Sequence, residues 1–136
     1  MNSLIFNSLV GSLTLFATSA FADICNGLAV TVDIGSGDVP TSGDDVILGT
    51  NGPDLINAIG GNDVVCSLSG DDFVFGGPGT DILLGGGGDD TIAGQGGNDT
   101  IFGHSGVDLL LGGSGEDQLF GGQGDEICAV RVVTTI

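Results

Sequence analysis

The chain has no lysine, no tryptophan and no tyrosine, and Arg131 is its whole basic complement. Without a basic patch it has nothing with which to grip nucleic acid or an anionic membrane surface. Without lysine, none of its glycine runs is a phosphate-binding loop, which needs that cation and a following helix. The lone histidine, His104, and three scattered cysteines supply no tetrahedral nitrogen and sulfur set for zinc. The apolar stretch Leu4–Phe16 covers only 13 residues and is interrupted by Asn7 and Ser8, whereas a membrane-spanning helix needs about 20. His104, Ser105 and Asp108 lie close together, but they fill places that other repeats give to glycine, small polar residues and a repeated acid. They read as repeat residues, no residue is assigned to catalysis, and the chain is read as not an enzyme.

What the chain does have is 28 glycines, 18 acidic residues, a net charge of −17 and 40% apolar residues. The N-terminus reads as an export signal, residues 1–22. It is an apolar run closing on Ala20 and Ala22 in a small-x-small cleavage pattern before Asp23. The expected mature protein is therefore secreted or extracellular, with a leader at 23–42, a repeat region at 43–129 and a tail at 130–136.

A nine-residue frame organises the repeat region. With glycine at its fourth position, Gly43, Gly52, Gly61, Gly70, Gly79, Gly88, Gly97, Gly106, Gly115 and Gly124 fall in one column without an insertion. Two places on stand Asp45, Asp54, Asp63, Asp72, Asp81, Asp90, Asp99, Asp108 and Asp117, then Glu126. Two further on stand Ile47, Ile56, Val65, Val74, Leu83, Ile92, Ile101, Leu110, Leu119 and Cys128. Self-similarity at a fixed period is the mark of a repeat architecture.

Each unit reads as a glycine turn followed by a three-residue strand whose middle, eighth-position side chain points inward. One unit cannot bury its single apolar residue, so units must stack. Two turns and two strands close a coil of 18 residues, giving an all-β parallel solenoid of about five coils. Its core is two facing ladders, Ile47, Val65, Leu83, Ile101, Leu119 and Ile56, Val74, Ile92, Leu110, Cys128.

The same stacking sets acids in two columns, Asp45, Asp63, Asp81, Asp99, Asp117 and Asp54, Asp72, Asp90, Asp108, Glu126. Coils stack at about 4.8 Å, and carboxylates that close repel strongly without a counter-charge. A hard divalent cation between them relieves the repulsion, and turn carbonyls complete its oxygen shell. Calcium, with six to eight oxygens in flexible geometry, suits this better than magnesium. Two columns leave room for up to about eight Ca²⁺, which nearly balances the charge of −17. Without metal, repulsion and glycine entropy are expected to leave the chain largely unfolded.

The units "GGPGTDILL", "GGGGDDTIA" and "GGSGEDQLF" resemble the nonapeptide GGxGxDxUx of the RTX (repeats-in-toxin) family. That resemblance implies a calcium-loaded parallel β-roll with metal between turns n and n+2, held by these aspartates and backbone carbonyls. The first turns, "GTNGPD", "AIGGND" and "SLSGDD", lack the leading glycine pair. The export signal and cysteines make the chain most similar to small exported bacterial calcium-binding repeat proteins. That similarity implies a fold and a ligand without a physiological role.

Export places the three cysteines where disulfides persist. Cys66 and Cys128 are more than three coils apart, about 16 Å along the stack at the strand spacing, beyond the roughly 7 Å a disulfide spans. Cys25–Cys128 would need the leader to run the whole roll. The expected bridge is Cys25–Cys66, with Cys128 a buried free thiol. "LAVTVDI" alternates as a strand does and either covers the first coil's open end or belongs to a free leader. Outward apolar stripes, Leu84, Phe102, Phe120 on one sheet and Phe73, Phe75, Leu109, Leu111 on the other, invite a homodimer, an extracellular partner or coverage by the terminal segments. Three functions follow: a stand-alone calcium-binding protein, an adhesive or assembling surface protein, or a detached accessory module of an exported enzyme.

Overall fold

The computed structural model describes residues 24–124 and 127–129. The export signal at 1–22, Glu126, the Cys128 thiol and the tail at 130–136 lie outside the described residues and side chains.

The N-terminal elements are β1 (Ile24–Cys25), β2 (Leu28–Ala29), β3 (Val32–Asp33) and a 3₁₀ turn (Ile34–Ser36). Ten repeat strands follow: β4 (Val46–Leu48), β5 (Leu55–Asn57), β6 (Val64–Cys66), β7 (Phe73–Pro78), β8 (Ile82–Gly87), β9 (Thr91–Gly96), β10 (Thr100–Ser105), β11 (Leu109–Ser114), β12 (Gln118–Gln123) and β13 (Ile127–Ala129). They alternate between two parallel sheets, ordered β12-β10-β8-β6-β4-β3 and β13-β11-β9-β7-β5. The fold is an all-β parallel solenoid of about five coils.

Register follows the repeat residue for residue. Ile47 pairs with Val65, Val65 with Leu83, Leu83 with Ile101 and Ile101 with Leu119. Ile56, Val74, Ile92, Leu110 and Cys128 pair in the same way on the second sheet. Eight of these inward residues, Ile47 to Ile101 and Ile56 to Leu110, have no solvent exposure. Burial of each stabilises by about 1.5–3 kcal/mol. A one-residue slip would turn every one of them outward, which is why the register is unique.

Strand length departs from the expected three residues. From β7 to β12 each strand has six, because the turn backbones also pair from coil to coil. Gly79 N–H donates to Gly96 O at 2.7 Å and Gly97 N–H to Ser114 O at 2.9 Å. Stacked turns are thus part of the ladder, and these turn amides are satisfied.

The leader is divided between two tasks. Asn26 and Gly27 both hold positive φ (51° and 82°), the geometry that closes a two-residue hairpin between β1 and β2. That hairpin packs Cys25 against Leu48, Val64 and Cys66 on the outer face of the first sheet, with Val46, Ile82 and Leu84 alongside. "LAVTVDI" is not one strand: β3 adds to β4 through Val32↔Ile47, and Ile34 packs against the core. Among the described residues no helix is long and apolar enough to cross a membrane.

Candidate metal centre

Each sixth-position aspartate follows directly on a glycine turn and precedes a strand, so its side chain folds back under its own turn. Asp63, Asp72, Asp81, Asp90, Asp99 and Asp108 are at most 1% exposed, and Asp45 is 7% exposed. One carboxylate oxygen is always used in the same way. The backbone N–H of Asp45 donates to Oδ1 of Asp63 at 2.8 Å, and Asp63, Asp81 and Asp99 repeat this onto Asp81, Asp99 and Asp117 at 2.9–3.0 Å. Asp54, Asp72 and Asp90 do so onto Asp72, Asp90 and Asp108 along the other edge. The described aspartates of both sequence-derived columns are therefore each bonded to the one 18 residues away.

The other oxygen is left over. Oδ2 of Asp63, Asp72, Asp81, Asp90, Asp99, Asp108 and Asp117 is buried and without a hydrogen-bond partner. A buried polar atom without a partner costs about 1–3 kcal/mol, and more when charged. Burial accordingly pushes the carboxyls of Asp63, Asp72 and Asp99 upward, and those of Asp81 and Asp90 up to about 6. The bond from the neighbouring amide opposes the rise, and the next carboxylates in the column add to it.

A cation is what such oxygens lack. Among the described residues no three His, Cys, Asp or Glu side chains converge, so most ligands to any ion must be backbone carbonyls. The first-position glycines provide that. A Cβ placed on Gly76 would strike Oδ2 of Asp81 and stand 3.0 Å from Gly94 O. Gly85 faces Oδ2 of Asp90 and Gly103 O, Gly94 faces Oδ2 of Asp99 and Gly112 O, and Gly103 faces Oδ2 of Asp108 and Gly121 O. A carboxylate and a carbonyl from the next coil line a cradle that only glycine keeps open. This all-oxygen set fits calcium and offers zinc no soft ligand.

Asp45 and Asp54 lie in the same columns in different surroundings. Thr41 donates its N–H and hydroxyl to Oδ2 of Asp45 at 2.7 and 3.0 Å. Thr50 donates its N–H to Oδ2 of Asp54 at 2.6 Å and its hydroxyl to Oδ1 at 3.0 Å. The sequence reading named turn carbonyls in general but did not foresee these threonines. The absent glycine pair in the early units was their only sequence signal.

Beside the roll, the Cys25 and Cys66 sulfurs stand at disulfide distance, 2.10 Å, with Cα atoms 5.7 Å apart. His104 and Ser105 are exposed in their turn, His104 stacked on Phe102 at 5.8 Å, while Asp108 is buried with its column.

The model of a family described as RTX calcium-binding nonapeptide repeat (4 copies) matches residues 40–74, 75–110 and 102–128. No curated protein and no solved structure matches the chain.

Proposed function

From the premise that the chain belongs to the RTX calcium-binding nonapeptide repeat family, we propose that it is an exported calcium-binding β-roll whose folding is driven by the metal. The repeats bind calcium, and the roll is a structural calcium-binding motif rather than a catalytic fold. The seven buried carboxylate oxygens without a protein partner carry the reading. Buried and unpartnered, such an oxygen is a cost that a divalent cation turns into a gain, so binding energy becomes folding energy. The proposed ligands are drawn from Asp45, Asp54, Asp63, Asp72, Asp81, Asp90, Asp99, Asp108 and Asp117, with turn carbonyls completing the shell. Calcium would supply charge neutralisation and a bridge between coils, while the chain's own amides orient each carboxylate through Oδ1.

Export is supported by the signal-like residues 1–22 and by paired cysteines, which persist in oxidising compartments. Calcium titration of chelator-treated protein, followed by far-ultraviolet circular dichroism, tests the reading. A cooperative gain of β-structure is expected, and a spectrum indifferent to calcium would overturn it.

A second reading, adhesion or assembly through a sheet face, has one observation in its favour. The hairpin lies on the first sheet, whereas Leu55, Phe73 and Leu111 on the second are 75%, 52% and 37% exposed.

A further inference from the structure

The units differ at their first two positions. Units five to eight begin Gly76-Gly77, Gly85-Gly86, Gly94-Gln95 and Gly103-His104, and all four have the open oxygen-lined cradle at the first glycine. Units one to four begin Pro40-Thr41, Gly49-Thr50, Ala58-Ile59 and Ser67-Leu68. Each of these four closes its site with protein groups.

In the first two units the closure is by hydrogen bonding, although a Cβ on Gly49 would meet Oδ2 of Asp54 and Ser67 O as in the later units. Thr41 and Thr50 take the carboxylates of Asp45 and Asp54 with an amide and a hydroxyl each. In the third and fourth it is by occupation. Ala58 and Ser67 are fully buried, and each carries a Cβ at the position where later units have glycine. The Ser67 hydroxyl lies 2.6 Å from Gly85 O and 3.1 Å from Leu84 O. Gly85 O is the counterpart of the carbonyls of Gly94, Gly103, Gly112 and Gly121 that line the open cradles. The Ser67 hydroxyl therefore lies against the carbonyl that later units leave free and beside the Asp72 carboxyl. Asp63 and Asp72 keep an unpartnered Oδ2, but their units bring a methyl or hydroxymethyl group at the turn position where Gly76 and Gly85 have none. A Cβ on Gly112, in the ninth unit, would strike the carboxylate of Asp117 as well, and the residue 18 places on lies outside the described residues.

We propose that, of the first eight units, only those with cradles at Gly76, Gly85, Gly94 and Gly103 hold calcium, and that the first two coils are a metal-independent base. Those coils are held by Thr41, Thr50, Ser67, the hairpin and the Cys25–Cys66 link. The calcium-dependent coils build on that base, so the roll is ordered from its N-terminal end. This rests on the calcium reading above and sharpens it to four ions in those eight units.

Counting Ca²⁺ per full chain by native mass spectrometry and by calorimetric titration with calcium chloride tests it. At least four ions are expected for the natural sequence, one more for Ala58→Gly or Ser67→Gly, two more for the double variant and one fewer for Gly94→Ala. Eight ions in the natural sequence would overturn the proposal and leave the calcium reading standing, whereas none would overturn both. Unchanged counts in glycine variants with an intact β-spectrum would also overturn it. Hydrogen exchange in chelator gives a readout that needs no variant. Slow exchange is expected over residues 46–66 and fast exchange beyond 76; uniformly fast exchange would remove the metal-independent base.

Discussion

The backbone N–H of Asp81 donates to Oδ1 of Asp99 at 2.9 Å, while Oδ2 of the same Asp99 is buried and has no partner. One carboxylate thus does two jobs. Its bonded oxygen sets the spacing of adjacent coils, and its free oxygen creates the demand for a cation. Repeated along both edges, this pairing ties the two acid columns to coil stacking.

Removing calcium should therefore cost most of the structure. In excess chelator we expect circular dichroism to show only a minority of the β-signal, restored cooperatively by calcium. The midpoint should fall at about 10⁻⁴–10⁻³ M, as in extracellular calcium modules. Asp90→Ala should raise that midpoint more than Asp45→Ala, whose carboxylate Thr41 already satisfies.

Acid should act in opposite directions with and without metal. Burial raises Asp81 and Asp90 from 3.8 to about 6. The calcium-free roll therefore binds more protons than the unfolded chain between those values. This favourable protonation is fully present below the unfolded value and is lost as pH rises through about 6. Calcium requires the ionised form. Below about 6, each proton displaced should raise the calcium requirement by up to about tenfold per pH unit. Titrations at pH 5 and 7.5, with and without chelator, check both signs.

The Cys25–Cys66 link closes a span of 41 residues. Loop entropy at that length corresponds to about 3–4 kcal/mol. We expect the double variant Cys25→Ser, Cys66→Ser to lose roughly that much in calcium-loaded urea unfolding, with its calcium count unchanged.

Two glycines separate backbone geometry from mere small size. Gly97 holds φ +122°, and a Cβ there would strike Gly79 O. Gly97→Ala should destabilise by more than about 2 kcal/mol. A Cβ on Gly60 would make ordinary contact with Pro78 O at 3.5 Å, so Gly60→Ala should be tolerated or stabilise by about 0.4–1 kcal/mol. Calcium-loaded thermal melts of the two variants distinguish the cases.

The core is equally testable. Leu83 has no exposure and sits between Val65 and Ile101 in its ladder. Leu83→Ala should cost about 2–5 kcal/mol in the calcium-loaded roll, measured by denaturant unfolding.

Much of this was legible in the order of residues alone. A strict nine-residue period determined coil length, the identity of both inward ladders and the two acid columns, because parallel stacking carries sequence spacing directly into spatial neighbours. The outward direction of Cys66 followed from strand alternation, and Asn26-Gly27 was a readable hairpin signal that alternation in "LAVTVDI" obscured. What needed the tertiary structure was how each repeat differs from its neighbours. Whether Thr50 reaches Asp54, whether Ser67 reaches Gly85 O, and which Oδ2 atoms stay unpartnered depend on contacts of a few ångströms between residues in different turns and coils. The nine-residue period marks every turn alike, but a hydroxyl or methyl at a turn's first two positions changes what the neighbouring carboxylate and carbonyl meet.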